Sequence, residues 1–312
     1  LQVSLNTQYR AIVSDAKDNR IETRFCIGLT KKGKKYGDDM LKSEVKGDWT
    51  KFTTKGTLAG LRMAGNWKNV YDSYKKSASE EEIKQMDQQL AMAGKMTGLD
   101  IQKDVIDNLT GQTALYVYGI GGKANMQMMA NPLALIPKLE ALFVMKFGDA
   151  EALKKVSDAL VKMGGEAVTK RPLKTKDGEV KSIQAIEVAS KGRGMMKMAS
   201  GFRVYTHNDS LALAAPSVTE ETIHKMMTGS SDKSVAGADK LDLGAKFAEA
   251  DHTTALWLNF EQVRNIFGDM LASLPSKQTK EMVNTIEEVL ISTEQKGNGT
   301  FIDFTIDLVP EK

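Results

Sequence analysis

Arg171-Pro172-Leu173-Lys174-Thr175-Lys176-Asp177-Gly178-Glu179-Val180 decides how this chain folds. Lys176-Asp177-Gly178 stands between two strand-forming runs, and Asp-Gly is a strong signal for a tight turn joining antiparallel strands. The stretch predicts a hairpin with strands near Glu166 to Leu173 and Val180 to Ala189. The pattern recurs downstream, where Phe202 to Thr206 and Leu211 to Ala215 flank His207-Asn208-Asp209. Before the hairpins, Ala141 to Met145 reads as a buried strand. Asp149 then caps a helix facing one way through Leu153, Val156, Leu160 and Val161, and Gly164-Gly165 ends it. After the hairpins, Ser217 caps a helix carrying Glu220, Ile223 and Met227. The middle third is therefore α+β, an antiparallel sheet with helices packed on one face.

The same periodicities extend to both ends. Residues 1 to 65 alternate apolar and polar side chains around glycine turns, with Ile21, Thr23, Phe25 and Ile27 on one face of an extended segment. Trp49, Lys51 and Phe52 lead toward Gly56 through a second, and Leu58 to Gly65 adds another strand. Trp67, Val70 and Tyr74 then recur at helical spacing. Ser79 with Glu82 makes a capping box, followed on one helix face by Ile83, Met86, Leu90 and Met96, with an end near Gly98. A short amphipathic turn, Ile101 to Leu109, precedes the strand Thr113 to Tyr118.

Toward the C-terminus, Thr254 to Phe260 reads as a strand, and Val263, Ile266, Phe267 and Leu271 as a helix. Pro275 interrupts, a second helix runs from Lys277 to about Ser292, and Thr300 to Ile306 alternates as a final strand. Strand, helix, helix, strand is also the order of Leu58 to Tyr118. With Trp67 and Trp257 in comparable places, this points to an internal duplication. The division expected is residues 1–120, a β-rich start with a strand-helix-helix-strand unit; 121–235, the α+β middle with two hairpins; and 236–312, the unit repeating 58–118. The glycine-rich stretches Gly119 to Pro132 and Gly229 to Gly244 are the connectors.

Composition narrows the functions. The 312 residues are 41% hydrophobic and 27% charged, the balance of a globular protein rather than a disordered one. A net charge of +3 with both signs interleaved argues against a dedicated nucleic-acid binder, and the basic run Lys31 to Lys35, followed by Asp38 and Asp39, reads as a solvated turn. The most apolar stretch, Pro132 to Phe147, is broken by Pro137, Lys138, Glu140 and Lys146, so no transmembrane span is expected. A single cysteine, Cys26, excludes an intrachain disulfide, and its apolar setting suggests an inert buried thiol. Leu1 rather than Met opens the sequence, which reads as a removed signal peptide, lipoprotein leader or membrane anchor.

Motifs of catalysis are missing. Gly119-Ile120-Gly121-Gly122-Lys123-Ala124 follows a strand, but Asn131-Pro132 interrupts the helix that a dinucleotide loop requires, so no cofactor is expected. His207, His224 and His252 stand in no zinc-binding arrangement, and no serine occupies a nucleophile elbow. Glu80-Glu81-Glu82 serves the first turn of a capped helix, and Asp303 and Asp307 lack calcium-loop spacing, so no metal is expected either. Methionine is the compositional oddity: of 17, Met126, Met128 and Met129 gather in the first connector, and Met195, Met196 and Met198 lie between Gly194 and Gly201. Such flexible apolar side chains fill core gaps or form an adaptable surface for a protein partner or an acyl chain, with Cu(I) a third use. These six are the candidate partner- or ligand-binding residues.

The chain resembles a family of exported bacterial proteins known as a domain of unknown function. The resemblance lies in Leu109-Thr110-Gly111-Gln112-Thr113-Ala114-Leu115, in Val144-Met145-Lys146-Phe147-Gly148-Asp149-Ala150, in Phe202 to Pro216 with the helix at Ser217, and in Ala255-Leu256-Trp257-Leu258-Asn259. It covers about residues 56 to 310 and implies a periplasmic or outer-membrane-associated location behind a signal peptide or lipid anchor. Taken together, the expectation is a non-catalytic binding or structural component of a cell-envelope assembly, with other envelope proteins as partners. A periplasmic carrier of a lipid or other apolar ligand is the alternative, and a hydrolase with a non-standard site the third.

Overall fold

The computed structural model describes residues 7–17, 19–31, 49–65, 67–121, 138–188, 203–229, 241–249, 254–272, 276–296 and 299–310. Its centre is one 12-stranded sheet in which every neighbouring pair is antiparallel. In chain order the strands are β1 (Thr7–Lys17), β2 (Arg20–Leu29), β3 (Ala59–Met63), β4 (Leu109–Ile120), β5 (Leu139–Phe147), β6 (Val168–Thr175), β7 (Gly178–Val188), β8 (Arg203–His207), β9 (Ser210–Ala214), β10 (Thr254–Asn259), β11 (Ile286–Lys296) and β12 (Gly299–Leu308). In space they run β1-β2-β12-β11-β10-β3-β4-β5-β9-β8-β7-β6. The expected α+β class with antiparallel pairing is the observed one, and both hairpins form where the turn residues place them. Asn208 takes a positive φ of 51° in the β8–β9 turn, and Gly178 one of 122° at the β6–β7 turn.

The strand-helix-helix-strand order is visible on both sides of the sheet centre. β3 leads through α1 (Trp67–Ser77) and α2 (Glu80–Thr97) to β4, and β10 leads through α6 (Phe260–Ala272) and α7 (Lys277–Thr285) to β11. The two first strands pair with each other, Leu256 opposite Leu61, and the two second strands flank them. Trp67 and Trp257 do not correspond: Trp257 lies wholly buried in β10, whereas Trp67 opens α1 and is exposed.

Other differences have local causes. The second C-terminal helix stops at Thr285 instead of Ser292, because from Ile286 the chain alternates: Glu288, Leu290 and Ser292 turn inward as a strand. Trp49 to Gly56 is not extended. Phe52 and Thr53 N–H groups donate back to the Trp49 carbonyl, a turn that puts Trp49 and Phe52 into the core. The helix after β9 is capped by Thr219, whose hydroxyl accepts from Thr222 N–H, while Ser217 donates to the Leu139 carbonyl, so α4 is Glu220–Thr228. Helices also meet the sheet from both sides. Lys170 and the next residue of β6, Arg171, point to opposite faces. Lys170 bonds Ser157 and Asp158 of α3 (Ala150–Gly164), whereas Arg171 bonds Glu220 of α4.

The largest omission from the sequence reading is α5 (Asp242–Glu249), which stands where a connector was expected. It packs Leu243 and Phe247 onto one sheet face, where Phe247 stacks on Trp257 at 5.9 Å and meets Tyr116 edge-on at 6.2 Å. The fit leaves no room for a side chain on β3 beneath it: a Cβ at Gly60 would lie 2.6 Å from the Phe247 ring. Both helix ends are gripped by charged groups of the sheet. Glu288 of β11, wholly buried, accepts from the N–H groups of Leu243 and Gly244, each at 3.0 Å, and from Trp257 Nε1 at 2.8 Å. At the other end Arg62 of β3 donates to the carbonyls of Phe247 and Ala248, with its guanidinium over the Trp49 and Phe247 rings. A carboxylate at a helix N-terminus and a guanidinium at its C-terminus both complement the helix dipole.

Burial pushes the Glu288 carboxyl up to about 7, against the pull of its three N–H donors. The folded chain thus holds this proton more tightly than the unfolded chain, whose glutamate has the ordinary value of 4.5. The associated stability is complete below the ordinary value and is lost as pH rises through about 7, a change of about 3 kcal/mol at about 1.4 kcal/mol per pH unit. Urea denaturation between pH 5 and 8 should therefore show Glu288→Gln gaining ground on the wild type as pH rises; parallel curves would contradict the assignment.

Candidate functional site

Antiparallel register fixes which residues share a row across the sheet, and one row is apolar over most of its length. From β12 to β7 it reads Phe304, Ile291, Leu256, Leu61, Leu115, Phe143, Leu213, Val204, Ile186, each directly opposite the next. The row lies on the face away from α5. Ile186, at the α3 end, is buried, whereas Leu115 is 38% exposed and the residues between Phe304 and Leu61 are half-buried. Two positions along β2 and β3, Phe25 and Met63 extend this surface, at 37% and 44% exposure.

The outer strands explain why the apolar side is this one. In β2 and β12 apolar and polar residues alternate, so Ile21, Phe25, Ile302, Phe304 and Ile306 share one face. The other face carries a ladder of ion pairs. Arg24 grips both oxygens of Asp303 at 2.6 and 2.8 Å, and Arg20 those of Asp307, with a further bond from Arg20 to Asp242 at the start of α5. Against the opposing effect of burial, Arg20 and Lys246 hold the Asp242 carboxyl below its ordinary range. Cys26 is half-buried on that charged side, opposite Phe301, rather than sealed in a core. Further in, the charged side gives way to the aromatic core under α5. β2 and β12 therefore have a single apolar side; the row that continues it is half-open over six strands, about 24 Å at about 4.8 Å per strand, while Val289, two residues along β11 on the same face, is buried where α6 and α7 pack on that strand.

A second apolar surface stands on α1. Trp67, Val70 and Tyr74 fall on one helical stripe and are exposed at 46%, 36% and 47%. The path from β3 into α1 is set by a backbone contact with β4: Gly65 N–H donates to the Gly111 carbonyl at 2.9 Å. Gly111 has a φ of 79°, and a Cβ there would lie 0.9 Å from the Gly65 carbonyl oxygen, so no other residue fits. α2 follows with the expected capping box, Ser79 and Glu82 each bonding the other's N–H, and leaves Met92 and Met96 exposed.

A polar cleft of about 350 Å³ lies between α3 and strands β6 to β8, lined by Ser157, Lys170, Thr206 and His207 among others. Its reactive groups are already committed. Ser157 hydroxyl donates to the Lys154 carbonyl and accepts from Lys170 at 3.0 Å, and Lys170 is paired with Asp158 at 2.6 Å. His207 Nδ1 lies 3.0 Å from the Ser182 carbonyl and Nε2 3.3 Å from Asn208 Nδ2. His224 sits half-buried on α4. Among the described residues no three of His, Cys, Asp and Glu gather as a metal site, and no helix is long and apolar enough to cross a membrane.

The six candidate methionines, Met126, Met128, Met129, Met195, Met196 and Met198, lie outside the described residues, as do His252 and most of the run Lys31 to Lys35. The sequence predicts the one-sided strand Ile21 to Ile27 and strands at β3, β4, β10 and β12, all of which belong to this face, but not that their apolar sides join. Alternation within β12 and β10 was legible, but the register joining them was not.

The chain matches no protein-family model and no curated protein. It is similar to a solved structure described as crystal form IV of TP0453, with 11% identity and a TM-score of 0.33, over 86% of this chain and 95% of that one. Crystal form III of the same protein is similar over 85% and 96%, with 11% identity and a TM-score of 0.31.

Gly111→Ala should lower stability by about 2 kcal/mol or more, through both the strained φ and displacement of Gly65. Thermal unfolding followed by circular dichroism measures it, and an unchanged midpoint would mean that α1 leaves the sheet by another path.

Proposed function

We propose that this chain is a non-catalytic binding or structural component of a bacterial cell-envelope assembly, working in the periplasm or at the outer membrane. It engages a protein partner through the apolar face of β2, β12, β11, β10, β3 and β4. The observation that carries the reading is the reversed polarity of the outer strands. Their charged side is closed by ion pairs, which leaves the apolar side as the surface they offer for burial. Covering Ile21, Phe25, Met63 and Leu115 is worth on the order of several kcal/mol at about 1.5–3 kcal/mol per large apolar side chain, before association costs. Extended apolar surfaces of this kind mark interaction sites. The envelope location is supported by the sequence resemblance to exported proteins.

A broad sheet face suits a protein surface better than an enclosed cavity suits a lipid, which makes the carrier of an apolar ligand the rival outcome. Native mass spectrometry of the protein isolated gently from its own cells separates the two. Added mass equal to whole protein chains is expected, lost in a Phe25→Asp, Leu115→Glu double variant whose melting curve stays close to that of the wild type. Added mass of lipid size that the double variant loses would make the chain a carrier, and partner chains retained by the variant would place the interface elsewhere.

A further inference from the structure

We infer that β1 is a strand-pairing edge for a second copy of this chain, so that two sheets join antiparallel through their β1 strands. β1 and β6 are the two ends of the sheet. The β6 edge is blunted: Pro172 offers no N–H, the register shifts between Pro172 and Leu173, and Lys170, Arg171 and Lys174 crowd the strand with charge. β1 carries fewer of these devices: its charges, Arg10, Asp15 and Lys17, are of mixed sign, although the Ala16 N–H is taken up by Asp15 Oδ1 at 2.9 Å. Its 11 residues contain no proline and pair with β2 residue for residue from Tyr9 to Lys17, the one register shift falling between Thr7 and Tyr9. Among the described residues no strand pairs with its outer side. A long regular edge of this kind presents alternating N–H and C=O groups as a template for one more strand.

The strand suits itself as that partner. Two antiparallel neighbours related by a two-fold axis normal to the sheet share faces only when the opposed residue numbers sum to an even value, because side chains alternate. The pairing that uses the whole strand is centred on Ile12 and meets this condition. It sets Tyr9 opposite Asp15, Arg10 opposite Ser14 and Thr7 opposite Lys17, so no like charges oppose one another. It also keeps the apolar face of both copies on one side, with Ile12, the residue paired with Phe25, at the junction. The dimer would thus double the face assigned above to a partner, although the edge pairing itself does not depend on that assignment.

Sedimentation equilibrium over a wide concentration range tests the pairing, with a shift from the monomer mass to twice that mass expected. Ile12→Lys sets two ammonium groups opposite each other at the axis and should weaken association by about tenfold or more while leaving the melting curve unchanged. Independently, Ile12→Cys in a Cys26→Ser background should oxidise to a covalent dimer, since directly opposed residues in an antiparallel pair have Cα atoms about 4.5–5.5 Å apart, within disulfide reach. A chain that stays monomeric throughout, a dimer untouched by Ile12→Lys, or a dimer that Ile12→Cys does not cross-link would overturn the inference.

Discussion

α5 is eight residues long, too short to persist alone, and the centre of the sheet depends on how it is held. Glu288 and Arg62 reach it from β11 and β3, two strands separated by β10. Each takes a helix end whose backbone groups have no intrahelical partner, so the sheet supplies the caps that the short helix lacks. Between those ends Phe247 presses on Gly60 and Gly244 on Trp257, contacts that admit no larger residue. The cost of burying Glu288 is partly offset by three N–H donors, and Arg62 is spread over two aromatic rings. The helix thus fixes three adjacent strands against one another and brings Trp49 in through the same guanidinium, with Phe52 packed against Trp49.

That arrangement also governs what remains available for binding. One face of the central strands is filled by α5, α4 and the Trp49 turn, which form a continuous core with β3, β4, β5, β9 and β10. On the outer strands the same face becomes a ladder of Arg20 and Arg24 with Asp307 and Asp303, tied to the start of α5 through Asp242. Arg20, at one end of this ladder, thus joins the outer strands to the helix. The apolar residues are left on the opposite face, where α3 covers the end formed by β6, β7, β8, β9 and β5.

Much of this was written locally. The turns at Asp177-Gly178 and Asn208, the capping box at Ser79, the Asp149 cap and the alternation of Thr300 to Ile306 all act over a few residues, and each formed as read. The failures share one cause. The helix expected from Lys277 to about Ser292 stops at Thr285, because β11 pairs with β10 and β12 on both sides, and that pairing overrides the local preference. α5 begins inside the stretch Gly229 to Gly244 that reads as a connector. Gly244 is there for a different reason, close contact with Trp257, which no local signal announces.

By itself, the sequence determined the class of the fold, the antiparallel sense of the hairpins and the faces on which side chains of each strand fall, because turn chemistry and period-two alternation are properties of adjacent residues. Only the tertiary structure decided the order of the strands, the register that lines Phe304 to Ile186 into one apolar row, and the meeting of Glu288 with Trp257 and α5. Those depend on hydrogen bonds between segments far apart in the chain, where a shift of one residue would turn every side chain to the other face.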